Sequence, residues 1–248
     1  FIEYYNPIHL PFNYNSGILY PYYNLYNTTS RPTAAFNGIN LSAIPHKKEY
    51  RECIVPTNDE FVEIDFDGYH IRLIANLIDY ELTEESAHRQ LGKLYFNKEN
   101  ISEQEYKETK QINFQAMYGK TPKEYEHLEF FQKINELVDS LWKQYEDKGY
   151  ITVPISNKRI GHNEEGMYPK KLFNYYLQAL ETANNIMVLK RVYNCLKGCK
   201  SKVALYTYDS ILIDYNQKDK DILNIIKSTI SEDNKYPIHL KHSKNLVL

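Results

Sequence analysis

A chain of 248 residues, 42% apolar and 25% charged, can bury a sizeable core in one large domain or two small ones. Its formal charge of −2 excludes a globally basic nucleic-acid binder, so any polyanion site must be local or rely on metal ions. Three cysteines (Cys53, Cys195, Cys199) without a CxxC argue against a disulfide framework or a zinc site, and no apolar run approaches the ~20 residues of a membrane span. The 24 tyrosines, with abundant Asn, Lys and Ile, fit AT-rich coding.

The N-terminal "FIEYYNPIHL" has no basic leader and no initiator Met, and reads as the start of a fragment or processed product. "SGILYPYYNLYN" (16–27) reads as a strand pair, and "TTSRPTAAFNGINLSAIP" (28–45) as loop, with Pro32, Gly38 and Pro45 as punctuation. "YRECIV" (50–55) and "EFVEIDF" (60–66) are strand candidates. The spacing of Ile71, Leu73, Ile74, Leu77 and Ile78 predicts a helix after Gly68. Segment 84–148 is mostly helical, and Ser102 with Glu105 forms a capping-box pattern. Gly119 and Pro122 close the helix that starts there. A hairpin or loop (151–169), a long helix ending near Gly198, the hairpin "KVALYTYDSILIDY", a helix ("DILNIIKSTI") and a terminal strand "YPIHL" follow. This order predicts an α+β fold, with helices segregated from a small antiparallel sheet.

Two carboxylates interrupt the apolar strands. Asp65 ends the strand at 60–66, and Asp209 sits at the turn of "LYTYDSILIDY" (205–215). A buried carboxylate is costly unless paired or metal-bound, and two together repel unless cations are near. Neighbouring strands of one sheet would bring both to one rim. Hard oxygen ligands without a His or Cys cluster suit Mg²⁺. Two such ions about 4 Å apart can activate an attacking oxygen and stabilise a leaving phosphate. Read singly, each aspartate serves equally well as a helix cap or turn former. Between them, Lys110, Phe114 and Tyr118 recur every four residues in "KETKQINFQAMYGK" (107–120), one helix stripe. A cation followed by two rings can serve a nucleotide's phosphate and base, or can be a solvated flank beside core aromatics.

"FVEIDFDGYHIRLIANL", "KETKQINFQAMYGK" and "LYTYDSILIDY" resemble motifs A, B and C of family A DNA polymerases, the bacterial polymerase I and phage replicase type. "TTSRPTAAFNGINLSAIP", "YRECIVP", "AHRQ" (87–90) and "FNYYLQALETANNIM" resemble further segments of that family in the same order, so the resemblance spans roughly residues 17–248.

The resemblance implies a palm with a small antiparallel sheet (1–80 and 169–248) and helical fingers (81–168), the thumb and exonuclease missing or truncated. It implies that Asp65, Asp209 and the Phe66 backbone carbonyl bind two Mg²⁺ ions, with Mn²⁺ as a substitute. Lys110 would bind the triphosphate and offer a proton to pyrophosphate. His88 would also reach the phosphates, Phe114 would stack on the incoming base, and Tyr118 would sit near the templating base. Arg31, Asn174, Gln178 and Tyr208 would contact primer–template, and Arg72 would orient motif A. The implied partners are primer–template DNA, dNTPs, and a processivity factor or upstream thumb or exonuclease domain, with no membrane. The implied location is the cytoplasm of a bacterial or phage-infected cell, at the nucleoid.

Three positions depart from the family pattern. His70 stands where a Glu excludes the ribose 2′-hydroxyl, Tyr106 where an Arg precedes the motif B Lys (Lys107 being a substitute), and Tyr208-Asp209-Ser210 where His-Asp-Glu is usual. His70 is expected to block the 2′-hydroxyl by size. Ser210 and the absent Glu also fit a single-subunit phage-type RNA polymerase. The departures together fit a non-catalytic nucleic-acid-binding relative, although Asp65, Asp209, Lys110, Phe114 and Tyr118 are all present.

Overall fold

The computed structural model describes residues 21–35, 40–45, 48–83, 86–161, 164–231 and 236–248. The readings of the first ten residues, of 16–20 and of Gly38 lie outside them. The elements run β1 (Tyr23–Asn24), β2 (Thr33–Ala34), α1 (Lys48–Arg51), β3 (Glu60–Phe66), α2 (Tyr69–Leu77), α3 (Ala87–Phe96), α4 (Glu103–Tyr118) and α5 (Glu129–Lys148). After these come β4 (Ile151–Thr152), β5 (Arg159–Ile160), α6 (Pro169–Cys195), β6 (Lys202–Thr207), β7 (Ser210–Tyr215), α7 (Ile222–Ile230) and β8 (Ile238–Ser243). This is the expected α+β class, with small antiparallel sheets and separate helices. The chain divides into two compact units, one of Phe1–Asp65, Met187–Ile230 and Ile238–Leu248, the other of Phe66–Ile186 and Ser231–Pro237.

The first unit is built on a four-stranded sheet in the order β6-β7-β3-β8. β3 and β7 pair antiparallel, from Glu60 opposite Tyr215 to Asp65 opposite Ser210. β7 is an inner strand, buried from Ser210 to Asp214, which is why its sequence reads as an apolar run rather than an alternation. Phe61 of β3 packs with Leu212 of β7, Ile44 and Leu246 on one face, while Val62 and Ile64 point the other way and are fully buried. Truncating Ile64 to Ala would cost about 2–5 kcal/mol by opening a cavity.

Three sequence expectations change here. The stretch 50–55 is no strand: α1 ends in it, and Val55 is exposed. Tertiary bonds curl the backbone, with Arg51 donating through Nη2 to the Ile44 carbonyl at 3.0 Å and through Nε to the Pro45 carbonyl at 3.2 Å. Lys48 and Glu52 pair at 3.0 Å across the same turn. Second, β1 pairs with β2, Tyr23 opposite Ala34, so Thr33–Ala34 within the stretch 28–45 read as loop is a strand. Third, the last strand begins at Ile238 and runs to Ser243, beyond "YPIHL".

The second unit is mainly helical. Gly68 precedes α2 at φ 55°, a left-handed conformation that a residue without Cβ adopts readily. α3 and α4 pack closely at Gly92, where an added Cβ would lie 2.5 Å from Thr109 Oγ1 and 2.6 Å from Ile101 Cδ1. α4 starts with the expected capping box: Ser102 Oγ accepts from the Glu105 amide, and Glu105 accepts from the Ser102 amide. α5 buries Phe130, Phe131, Ile134, Val138 and Leu141 along one stripe. β4 and β5 pair as a short hairpin within the stretch read as hairpin or loop. α6 opens with Pro169, whose missing N–H and fixed φ suit a first helical position.

Candidate functional site

In the first unit the β6–β7 hairpin turns on Tyr208 and Asp209, closed by Thr207 opposite Ser210. Tyr208 has φ 52°, a left-handed backbone that an aromatic L-residue disfavours. Two contacts hold the turn: the Arg31 guanidinium lies 4.0 Å from the Tyr208 ring centroid, and the Thr207 and Ser210 hydroxyls bond at 2.6 Å. The turn carries Asp209 at the end of β7, and Asp65 is the β3 residue opposite Ser210. The predicted pair therefore meets at one rim of the sheet. Burial, and next the charge of Asp209, push the Asp65 carboxyl above its ordinary value, with Lys241 opposing.

Lys241 of β8 was not foreseen. Its Nζ lies 2.8 Å from Glu63 Oε2 and 3.7 Å from Asp65 Oδ2. Glu63 and Asp65 share a strand face by the two-residue period, which could have flagged Glu63; nothing in the sequence pairs β8 with β3. Among the described residues, no group of three or more His, Cys, Asp or Glu side chains forms a closed metal cage. Asp65 and Asp209 form instead an open, all-oxygen set whose mutual repulsion a hard divalent cation would relieve. Such a set fits Mg²⁺, and the Phe66 carbonyl adjoins it in sequence.

Asp214 is a third carboxylate within this sheet. It is buried, and its oxygens accept the amides of Thr57 at 3.2 Å and Asn58 at 2.9 Å. Its work is structural: it ties the chain entering β3 to β7.

In the second unit, α4 carries Lys110, Phe114 and Tyr118 on one stripe, as its period requires. Phe114 is 64% exposed, so this ring is not core; it lies 4.7 Å, centroid to centroid, from Tyr118. Lys110 Nζ and the Arg89 guanidinium each stand 4.6 Å from the Tyr106 ring centroid. Tyr106 thus gathers two cations around it, Lys110 from its own helix and Arg89 from the "AHRQ" stretch of α3. Lys107 is exposed on the same helix. His88 of α3 bonds through Nδ1 to Asn113 Nδ2 at 3.0 Å. Burial first, and then Lys110, lower its pKa to about 4, so the ring is neutral at pH 7. Arg72 is buried, donates from Nε to the Asp67 carbonyl at 3.0 Å and lies 3.7 Å from Asp67 Oδ1. Asp67 Oδ1 accepts the Ala87 amide and so caps α3 immediately before His88.

His70 of α2 hydrogen-bonds through Nδ1 to the Tyr118 hydroxyl. Its Nε2 lies 2.9 Å from Glu181 Oε1, a close polar contact outside hydrogen-bond alignment. Glu181 is 1% exposed. α6 thus brings a buried carboxylate against the His70 ring. Asn174, Gln178, Glu181 and Asn185 follow each other at three- and four-residue intervals along α6, a polar stripe on a largely buried helix. Asn174 Oδ1 is buried and has no hydrogen-bond partner among the described residues. The Phe66 ring is core, stacked 4.8 Å from Tyr69, so only its backbone is available to a ligand.

No protein-family model matches the sequence. No curated protein matches it either. Among solved structures, the chain is similar to the POL domain of Pol1 from M. smegmatis, determined in complex with DNA primer-template and dNTP. The TM-score is 0.73 over 91% of this chain at 14% identity, and the match spans 47% of that chain. At that identity the likeness establishes the architecture: this chain has the fold of a DNA polymerase domain.

Proposed function

We propose that this chain is the palm (1–80 and 169–248) and fingers (81–168) region of a divergent family A DNA polymerase. It would add deoxynucleotides to a primer 3′-hydroxyl on a DNA template and release pyrophosphate. The observation that carries the reading is Asp65 opposite Ser210 with Asp209 at the adjoining turn, in a fold shared with a polymerase domain.

Asp65, Asp209 and the Phe66 carbonyl would hold two divalent cations, Mg²⁺ or Mn²⁺. When bound, these would lower the pKa of the primer hydroxyl and neutralise the phosphates. The chain's own residues supply the rest. Lys110, with Arg89 nearby, offers positive charge to the triphosphate, and Lys110 can give a proton to pyrophosphate as it leaves. His88 contributes a neutral ring to the phosphates. The exposed Phe114 ring offers a stacking face for the incoming base, and Tyr118 a second ring for the templating base. His70, buttressed by Tyr118 and Glu181, would stand at the sugar 2′ position and exclude a ribose hydroxyl by size. Arg31, Tyr208, Asn174 and Gln178 would contact primer–template. Base pairing then selects the nucleotide.

Primer extension on a DNA template with Mg²⁺ tests this, comparing wild type with Asp209→Ala and dNTPs with NTPs. Extension by dNTPs that vanishes in the variant supports the reading. A wild type that binds primer–template and extends nothing, even with a supplied accessory domain, overturns it. One observation favours a second reading, a single-subunit RNA polymerase: His70 stands in place of the gate Glu and Ser210 follows the motif C Asp. Preferential extension with NTPs would select that reading.

A further inference from the structure

Asn113 is 1% exposed, and both ends of its amide are engaged. The Tyr95 hydroxyl donates to Oδ1, and Nδ2 meets His88 Nδ1 at 3.0 Å. We infer that Asn113, oriented by Tyr95, is a positioning residue that fixes His88 as the tautomer with its proton on Nε2, so that this ring presents an N–H donor, and not a cation or a base, to phosphate oxygens. The phosphate half of the inference rests on the polymerase reading; the tautomer half does not.

The direction of the chain of bonds follows from Tyr95. Its hydroxyl is deeply buried, and burial raises its pKa, so it keeps its proton at neutral pH. Asn113 Oδ1 is the acceptor it reaches among the described residues. Rotating the amide by half a turn would leave that buried proton without an acceptor, which the fold avoids. With Oδ1 taken, Nδ2 must face His88 and donate. Nδ1 then holds a lone pair and the ring's one hydrogen lies on Nε2. A charged imidazole would carry a hydrogen on Nδ1 pointing at an amide hydrogen.

The surroundings agree. Lys110 and Arg72 disfavour a positive ring, and Asp67 favours it only in part. The Tyr106 ring stands edge-on at 6.1 Å. Gly68 adjoins the Nε2 edge: a Cβ there would lie 3.8 Å from His88 Cδ2 and 3.9 Å from Nε2, so a glycine keeps this edge uncovered by a side chain. The ring therefore accepts its proton only as pH falls from 6.5 toward about 4. Because the folded value lies below the unfolded one, its contribution to stability is complete above pH 6.5 and is lost as pH falls through about 4. A neutral N–H donor also cannot take a proton from the primer or be switched off near pH 7.

The test is long-range ¹H–¹⁵N correlation of ¹⁵N-histidine-labelled full chain, with His88 assigned by His88→Gln. The inference expects the Nε2–H pattern at pH 7, unchanged down to about pH 5. In Asn113→Asp the carboxylate would demand a hydrogen on Nδ1, and the ring would become cationic near neutral pH. That variant's KM for dATP should then depend on pH between 5 and 8, with wild type flat. Asn113→Leu, which removes the lock, should raise KM for dATP about tenfold with a smaller change in kcat, the loss of about one hydrogen bond to a charged group. An Nδ1–H pattern in wild type overturns the inference without touching the polymerase reading. An Nε2–H pattern in a wild type that fails to bind dATP or primer–template would sink the polymerase reading and leave the tautomer assignment intact.

Discussion

Asp65 and Asp214 lie on one face of the same sheet, and the contrast between them separates architecture from chemistry. Asp214 is buried, yet each of its oxygens accepts a backbone amide. Asp65 is less buried, but its neighbours are Asp209, which repels it, and Lys241, whose closer partner is Glu63. One carboxylate is finished by the protein. The other is assembled at a cost to stability that a ligand can relieve. The location of a carboxylate within a strand does not tell the two apart; its hydrogen-bond donors do.

Substitutions at the two positions should therefore give opposite signs. Asp65→Asn should cut dNTP incorporation by at least about 10³-fold, since metal-held charge at the reacting phosphate is lost. Without divalent metal, the same variant should melt no lower than wild type, because a repelled charge has been removed. A lower melting temperature would break the contrast. Asp214→Ala should destabilise the fold by about 2 kcal/mol, leaving the Thr57 and Asn58 amides unpaired, while the folded fraction keeps its turnover; urea titration with an activity assay reads both. Glu181→Gln removes a buried charge from His70. It should lower the dNTP-over-NTP preference about tenfold, with a smaller effect on dNTP turnover, and single-nucleotide kinetics with matched pairs check it. Ser102→Ala, which opens a satisfied cap two turns before Lys110, should cost about 1 kcal/mol and leave incorporation rates unchanged.

The same distinction explains what the sequence could and could not disclose. Asp65 and Asp209 were legible because strand alternation and a hairpin turn are local patterns, and neighbouring strands bring them together without further assumption. The Lys110, Phe114 and Tyr118 stripe was legible for the same reason, and the 64% exposure of Phe114 excludes a core ring. Glu181 was hidden because its meaning depends on α2 and α6 packing side by side, which no local period encodes. Lys241 was hidden because sheet order sets β8 beside β3. Asn113 lay inside a recognised motif, but its task depends on Tyr95 and His88, both on a different helix. The stretch at 50–55 misled in the opposite sense: its apolar letters suit a strand, but Arg51 bonds to two carbonyls upstream and winds it into a helical turn.

The near contact at Gly92 has a mechanical consequence. With no side chain on α3 at that point, Thr109 of α4 comes so close that the two helices cannot slide past each other without collision. Lys110 is the next residue on α4, and His88 lies one turn earlier on α3. The backbone positions that carry Lys110 and His88 are then coupled, so a swing of α4 draws α3 with it. A bulkier residue at position 92 would leave each group intact and spoil the gauge between them.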